Sequence, residues 1–236
     1  MIDYRALEQQ LTTTLALTRR PIAVAFRAEP PPGVAKFTGQ QPSGCSFWRI
    51  AAGGRAFYTV PSDHHNCVIG SHTHNIPLSP ERAGELPDML TYLTDIGYLR
   101  MEEVPRIPQL PATPGAVVYA PLGVTPVDPD VVLFAGRPGR LMLLQEAGLR
   151  AGVGVAMPAL GRPTCMALPA ALTHGVVAST GCIGNRVYTD LGDDELYVAV
   201  AGTGLARVAA ELTTIAAANG KLLSHHQERR RALATE

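Results

Sequence analysis

Residues 130–149, DVVLFAGRPGRLMLLQEAGL, contain the two kinds of element from which we predict the fold. Val131–Phe134 is a short apolar run rich in β-branched and aromatic residues, which indicates a buried strand. Arg140–Leu149 carries its apolar residues on one face, as an amphipathic helix does, and a turn with glycine and proline separates the two segments. The stretch therefore predicts a strand followed by a helix that packs on the sheet.

The same two patterns recur along the rest of the chain. Asp3 is the predicted N-cap of a first helix, in which Leu7, Leu11 and Leu15 form an apolar stripe. Further strands are predicted at 22–26, 56–60, 116–119, 153–157, 176–179 and 196–200, and further helices at 46–52, 80–93, 166–172 and 205–218. Strands that alternate with helices predict an α/β or α+β fold, a sheet covered by helices.

A proline-rich connector between Ile96 and Pro129 suggests a boundary between two halves of one integrated domain. We assign residues 1–120 to the N-terminal half, 121–222 to the C-terminal half and 223–236 to a flexible basic tail. The whole chain has 236 residues, a length that one domain can accommodate.

The two halves share an order of features that predicts an internal repeat. Cys45 precedes a short helix, a glycine, an apolar strand and then Cys67. Cys165 precedes the same series of features, which ends at Cys182. A duplicated unit would give a core with pseudo-twofold symmetry, in which the two cysteine pairs occupy equivalent turns and converge near the axis.

Composition narrows the classes of function. Lysine plus arginine number 20 and aspartate plus glutamate number 20, so no overall field attracts nucleic acid or an anionic membrane, and we expect neither as a partner. The first residues do not resemble a signal peptide, and the apolar stretches are too short to span a bilayer. We therefore expect a cytoplasmic protein, and the generous apolar fraction suggests a homo-oligomer.

Four cysteines are the usual complement of a structural zinc site or an iron-sulfur cluster. No Cys-x-x-Cys pair occurs, and zinc ligands usually come as such closely spaced pairs, so a [4Fe-4S] cluster is favoured over zinc. The sequence leaves open two other interpretations, four unconnected thiols and a redox dithiol pair. The candidate metal and cofactor ligands are Cys45, Cys67, Cys165 and Cys182.

Three further features are candidates for chemistry. A polar loop at 61–79 carries His64, His65, His72 and His74, and His64 is the candidate ligand, general base or proton carrier. A glycine-rich turn at 179–186 carries Cys182, a candidate nucleophile, and Arg186, a candidate fork for an anion. Residues 202–207, GTGLAR, only partly match a dinucleotide fingerprint and are interpreted as an ordinary turn.

Several motifs together resemble the family known as Domain of Unknown Function 169. The resemblance rests on residues 21–26, 45–49, 57–59, 63–67, 73–75, 161–165 and 179–186, and it covers nearly the whole chain except the tail. His65 stands where an aromatic residue is expected after His64. The resemblance implies no settled activity.

The leading hypothesis is a metal-centre protein that binds a [4Fe-4S] cluster through the four cysteines, with a redox or Lewis-acid role. As an enzyme it would be a redox or lyase-type accessory enzyme, with an electron-transfer partner or a small anionic metabolite. One alternative is a non-redox cysteine enzyme or small-anion binder that uses Cys182 and Arg186. The other is a scaffold or sensor whose thiols are structural.

Overall fold

The computed structural model describes residues 2–156 and 162–233. Its strands are β1 (Ile22–Arg27), β2 (Phe57–Thr59), β3 (Ala116–Pro121), β4 (Val131–Gly136), β5 (Val155–Ala156), β6 (Val176–Ser179) and β7 (Leu196–Ala201). Its helices are α1 (Tyr4–Leu15), α2 (Ser46–Ala52), α3 (Val68–Thr73), α4 (Glu85–Asp95), α5 (Pro138–Arg150), α6 (Ala167–His174), α7 (Ile183–Thr189) and α8 (Gly202–Leu233). The predicted mixture of helices and strands is confirmed.

The strands form one seven-stranded sheet in the order β2-β3-β1-β4-β7-β6-β5. All neighbouring strands run antiparallel except β5 and β6, which are parallel. Helices cover both faces of the sheet, so the molecule has three layers.

The sheet order has the symmetry that a duplicated unit requires. In the N-terminal half the order from the sheet edge to the centre is β2, β3, β1, and in the C-terminal half the corresponding order is β6, β7, β4. β1 therefore corresponds to β4, β2 to β6 and β3 to β7. The matched strands also follow matched helices, since α2 precedes β2 and α6 precedes β6. The two halves meet where β1 pairs antiparallel with β4, and Val24 lies opposite Val131.

Each face of the sheet has its own core. On one face, Phe47 and Trp48 of α2 and Leu168 of α6 pack against strand residues such as Leu133. On the other face, α1, α5 and α8 pack against the alternate strand residues, including Phe134. Because successive side chains of a strand point to opposite faces, β4 contributes to both cores. The helices α2 and α6, each preceded by a cysteine, therefore lie on the same face.

Several element boundaries differ from the prediction. The predicted polar loop at 61–79 contains α3, and the predicted turn at 179–186 runs into α7. The last helix was predicted to end at residue 218 and continues to Leu233. Met157, the predicted end of one strand, lies outside the described residues. Asp3 caps α1 as predicted, and its carboxylate accepts hydrogen bonds from the backbone N–H groups of Arg5 and Ala6.

No helix within the two described ranges is long and apolar enough to cross a membrane.

Candidate functional site

Each of the four cysteines lies at the start of a helix. Cys45, Cys67 and Cys182 directly precede α2, α3 and α7, and Cys165 lies in a 3₁₀ turn that leads into α6. These helices occupy corresponding positions in the two halves, so Cys45 matches Cys165 and Cys67 matches Cys182. All four are free thiols.

The four cysteines line a single cavity of about 670 Å³. They come from turns up to 137 residues apart in the chain, and the fold brings them together on the face covered by α2 and α6. The arrangement has the convergence that the predicted repeat requires. It is the central feature of the candidate site.

The two cysteines that precede α2 and α6 are the more deeply buried pair. Cys45 and Cys165 are each 6% exposed, whereas Cys67 and Cys182 are partly exposed. Burial, and then the negative charge of the Cys67 thiolate, raises the pKa of Cys45 to about 12. Burial, followed by the charges of Cys45 and Cys67, raises the pKa of Cys165 well above its usual value. Without a cation among them, these inner thiols stay protonated at neutral pH.

This difference in burial predicts an order of chemical modification. In metal-free protein at neutral pH, we expect iodoacetamide to modify Cys67 and Cys182 about tenfold faster than Cys45 and Cys165, because alkylation requires an accessible thiolate. Time-resolved peptide mass spectrometry measures the four rates. Equal rates at all four positions, under conditions where the fold is intact, would contradict the arrangement.

Two buried polar side chains next to the thiols have no hydrogen-bond partner of normal geometry among the residues that the structure describes. The Asn185 side chain is 1% exposed, and neither its amide nitrogen nor its oxygen is paired, although it lies beside Cys45 and lowers the pKa of that thiol. The Tyr119 hydroxyl is also buried and unpaired, and the charges of Cys45, Cys165 and Cys67 contribute to a raised Tyr119 pKa after the larger effect of burial. Buried polar groups without partners are rare, and those at functional sites often point to an unseen ligand.

Other polar groups hold the cysteines in place. The Ser43 hydroxyl lies 3.6 Å from the Cys67 Sγ and accepts a hydrogen bond from the backbone N–H of Cys45. The Thr164 hydroxyl accepts a hydrogen bond of 2.6 Å from the backbone N–H of Cys182. A Cβ atom at Gly70 would lie only 2.9 Å from the Cys67 Sγ, so a glycine is needed beside this sulfur.

A single metal ion bound by thiolates requires its ligands to stand close together. Zn–S bonds of about 2.3 Å in a tetrahedron require sulfur atoms about 3.8 Å apart. Among the residues that the structure describes, no three His, Cys, Asp or Glu side chains stand close enough to hold one metal ion.

The predicted histidine candidate, His64, is buried behind the cysteine face and does not line the cavity. Its Nε2 lies 2.8 Å from the Thr59 hydroxyl, and its ring packs against Phe47 and near His74. Burial, and then the charge of a protonated His74, lowers the pKa of His64 well below its usual value. His64 is therefore neutral at physiological pH, and its predicted catalytic role stays a prediction.

The buried, neutral His64 predicts acid sensitivity. The pKa of His64 in the folded state lies below the usual histidine value of about 6.5, so the unfolded chain binds the extra proton and stability is lost as the pH falls below about 6.5. As the pH falls through this range, protonation of His64 in the unfolded chain should lower the free energy of unfolding of metal-free protein by up to about 1.4 kcal/mol per pH unit. Urea unfolding at several pH values measures the slope.

His64→Gln should reduce that slope by up to about 1.4 kcal/mol per pH unit, which is the contribution of one proton. The control His226→Gln, at an exposed position of α8, should leave it unchanged. An unchanged slope in His64→Gln would show that His64 does not titrate as its burial requires.

Arg186, the predicted anion fork, is used inside the protein. Its guanidinium donates hydrogen bonds to the backbone carbonyls of Thr180, Gly192 and Glu195 and closes the turn that carries Cys182. Arg186 does not line the cavity, whereas Cys182 does. This arrangement does not favour an anion site shared by Cys182 and Arg186. That site remains a prediction.

The residues that surround the thiols were not identified as site residues from the sequence. Asn185 and Arg162 lie within the motifs of the family resemblance, and only that position in the motif could have singled them out. In the sequence, Tyr119 has the pattern of an ordinary core residue of a strand. Its position near the thiols depends on which turns pack against that strand in the folded protein.

Comparison with known proteins gives one match. The model of a family described as DUF169, uncharacterised ArCR, matches residues 10–211. Neither the curated proteins nor the solved structures contain a significant match. The match includes all four cysteines and every strand of the sheet.

Proposed function

We propose that this chain, which belongs to the DUF169 family, is a metal-centre protein that binds a [4Fe-4S] cluster through Cys45, Cys67, Cys165 and Cys182. The single observation that carries the proposal is that these four cysteines, two from each half, line one cavity. A shared cavity gives the four thiols the common position that one metal centre would require.

The surroundings of the thiols support a cluster. The unpaired amide of Asn185 and the unpaired hydroxyl of Tyr119 lie near sulfur atoms that would be charged once iron is bound. Hydrogen bonds from such donors stabilise the charge on cluster sulfur atoms and help to set the reduction potential. Neither group has a hydrogen-bond partner of normal geometry within residues 2–156 and 162–233.

A bound cluster would supply one-electron redox chemistry or a Lewis-acidic iron. The protein holds the inner ligands Cys45 and Cys165 away from water, and it leaves Cys67 and Cys182 on the more exposed side. An exposed side gives access to an electron-transfer partner or to a substrate. Burial of the other side limits access of oxidants to the cluster.

Anaerobic purification and reconstitution with iron and sulfide test the proposal. We expect about four irons and four sulfides per chain, in keeping with a Cys₄-ligated cluster, together with broad absorption in the violet-blue region that bleaches on reduction. Elemental analysis should include zinc. A colourless protein without iron after reconstitution, or one that holds a single zinc ion through the cysteines, would overturn the proposal.

A further inference from the structure

The cavity that contains the four cysteines is larger than a cluster needs. If each of eight cluster atoms takes the roughly 30 Å³ share of a water molecule, the cluster fills on the order of 240 Å³. The cavity measures about 670 Å³, which is within the usual range for small-molecule sites. More than half of it therefore stays open beside the sulfur atoms.

One wall of this cavity is α4, whose apolar residues are only partly covered by the rest of the described protein. Met89, Tyr92 and Leu93 of α4 line the cavity, and no side chain of α4 is fully buried. A short helix gains most of its stability by packing an apolar face against other groups. The opposite wall is provided in part by the buried side chains of Leu99 and Ile107.

Aromatic rings favour a flat molecule in this space. Tyr92, Tyr98 and Tyr188 line the cavity, and the Arg162 guanidinium lies over the Tyr98 ring at 4.7 Å from its centre. Offset stacking on such rings favours flat aromatic groups.

The charged side chains that line the cavity leave no net positive charge to attract an anion. Arg162 is paired with Glu103 at 3.1 Å, and Glu85 is paired with Arg82 at 2.6 Å, so each of these pairs is neutral overall. Asp88 lines the cavity and has no ion-pair partner among the described residues. Four thiolates outweigh the positive charge of a [4Fe-4S]²⁺ core. The remaining charge is negative, and a negative ligand would be repelled.

We infer that the cavity between α4 and the cysteines binds a small, uncharged, largely apolar aromatic molecule, held in contact with the metal centre. The contact with the metal centre and the negative charge of the cluster rest on the proposed function, whereas the apolar and aromatic lining of the site does not. This inference names the class of ligand on which the centre would act.

A matched pair of probes tests the charge argument. In equilibrium dialysis with the reconstituted full-length protein at neutral pH, we expect saturable binding of 2-naphthol, which is uncharged. Binding of 2-naphthoate, which has the same rings and a negative charge, should be at least about tenfold weaker. Equal affinity for both probes, or no saturable binding of 2-naphthol, would overturn the inference.

A matched pair of variants tests the location. Leu93→Asp places a charge inside the cavity and should weaken 2-naphthol binding at least about tenfold, with the iron content unchanged. Thr91→Asp places the same charge on the same helix, at an exposed position that does not line the cavity. This variant should bind 2-naphthol with the same affinity as the unsubstituted protein. Equal loss in both variants, or none in Leu93→Asp, would contradict the assigned site.

Two readouts separate this inference from the proposed function. 2-Naphthol should change the electron paramagnetic resonance spectrum of the reduced cluster, and tight binding without such a change would overturn the contact. If the chain holds no iron, the proposed function fails, and dialysis of the iron-free protein still decides whether the apolar site exists. If the unsubstituted protein were a dimer that Leu93→Asp dissociates, and neither protein bound 2-naphthol, the inference would be overturned. A second copy of the chain would then cover α4 instead.

Discussion

Replacement of Cys165 by alanine should reduce the iron content of the reconstituted protein from about four per chain to less than one. Cys165 is 6% exposed, so its removal would take away one of the two more deeply buried thiols of the proposed ligand set and leave little room for water to replace it. Iron and sulfide analysis, together with the visible spectrum, measures the loss.

Met166→Leu is the matched control for this change. Met166 follows Cys165 in the chain, is 1% exposed and does not line the cavity, so this volume-conserving variant alters the same buried turn without removing a proposed ligand. It should keep its iron. The far-ultraviolet circular dichroism of both variants in the metal-free state should match that of the unsubstituted protein.

The pseudo-twofold arrangement adds a second requirement. Cys45 occupies the position in the N-terminal half that Cys165 occupies in the C-terminal half. Cys45→Ala should therefore cause the same loss of iron as Cys165→Ala. Loss in one variant with full retention in the other would show that the centre belongs to one half alone.

The second large effect is expected at Gly202, the first residue of α8. A Cβ atom at this position would overlap the backbone carbonyl oxygen of Pro129, which cannot move aside without shifting the start of β4. We expect Gly202→Ala to lower the free energy of unfolding by about 3 kcal/mol, the upper part of the range for overpacked sites. Urea unfolding of metal-free protein measures the change.

Gly220→Ala, in the same helix, provides the control. No atom lies within 4 Å of a Cβ atom built at Gly220, so alanine there should raise the free energy of unfolding by about 0.5–1 kcal/mol through its higher helix propensity. If Gly202→Ala were as stable as Gly220→Ala, the close approach at Pro129 would be refuted. Close contacts also account for the two glycines in residues 202–204. A Cβ atom at Gly202 would meet a backbone oxygen, and a Cβ atom at Gly204 would meet Val153.

The elements with strong local patterns could be predicted from the sequence. The strand in 131–134 and the following helix are found as β4 and α5, and α2 has the predicted bounds. Apolar periodicity decides such elements, because their buried faces are fixed by the order of residues alone.

The short helices beside the cysteines could not be predicted in this way. α3 has six residues and α7 has seven, too few to show a helical period or to be stable alone. Contacts from elsewhere in the chain stabilise them: the carbonyl oxygen of Thr73, at the end of α3, accepts from the backbone N–H of Leu110. The Thr164 hydroxyl accepts from the backbone N–H of Cys182, at the start of α7. The continuation of α8 to Leu233 has a different cause, since residues 221–233 are good helix formers without an apolar stripe.

The sequence by itself determined that each half carries two cysteines in the same order relative to a helix and a strand, because that order is a property of the chain. Only the tertiary structure decided that the four thiols share one cavity. The antiparallel pairing of β1 with β4 sets the two halves edge to edge and puts α2 and α6 on the same face. Strand pairing depends on hydrogen bonds between distant segments, which no local pattern of residues specifies.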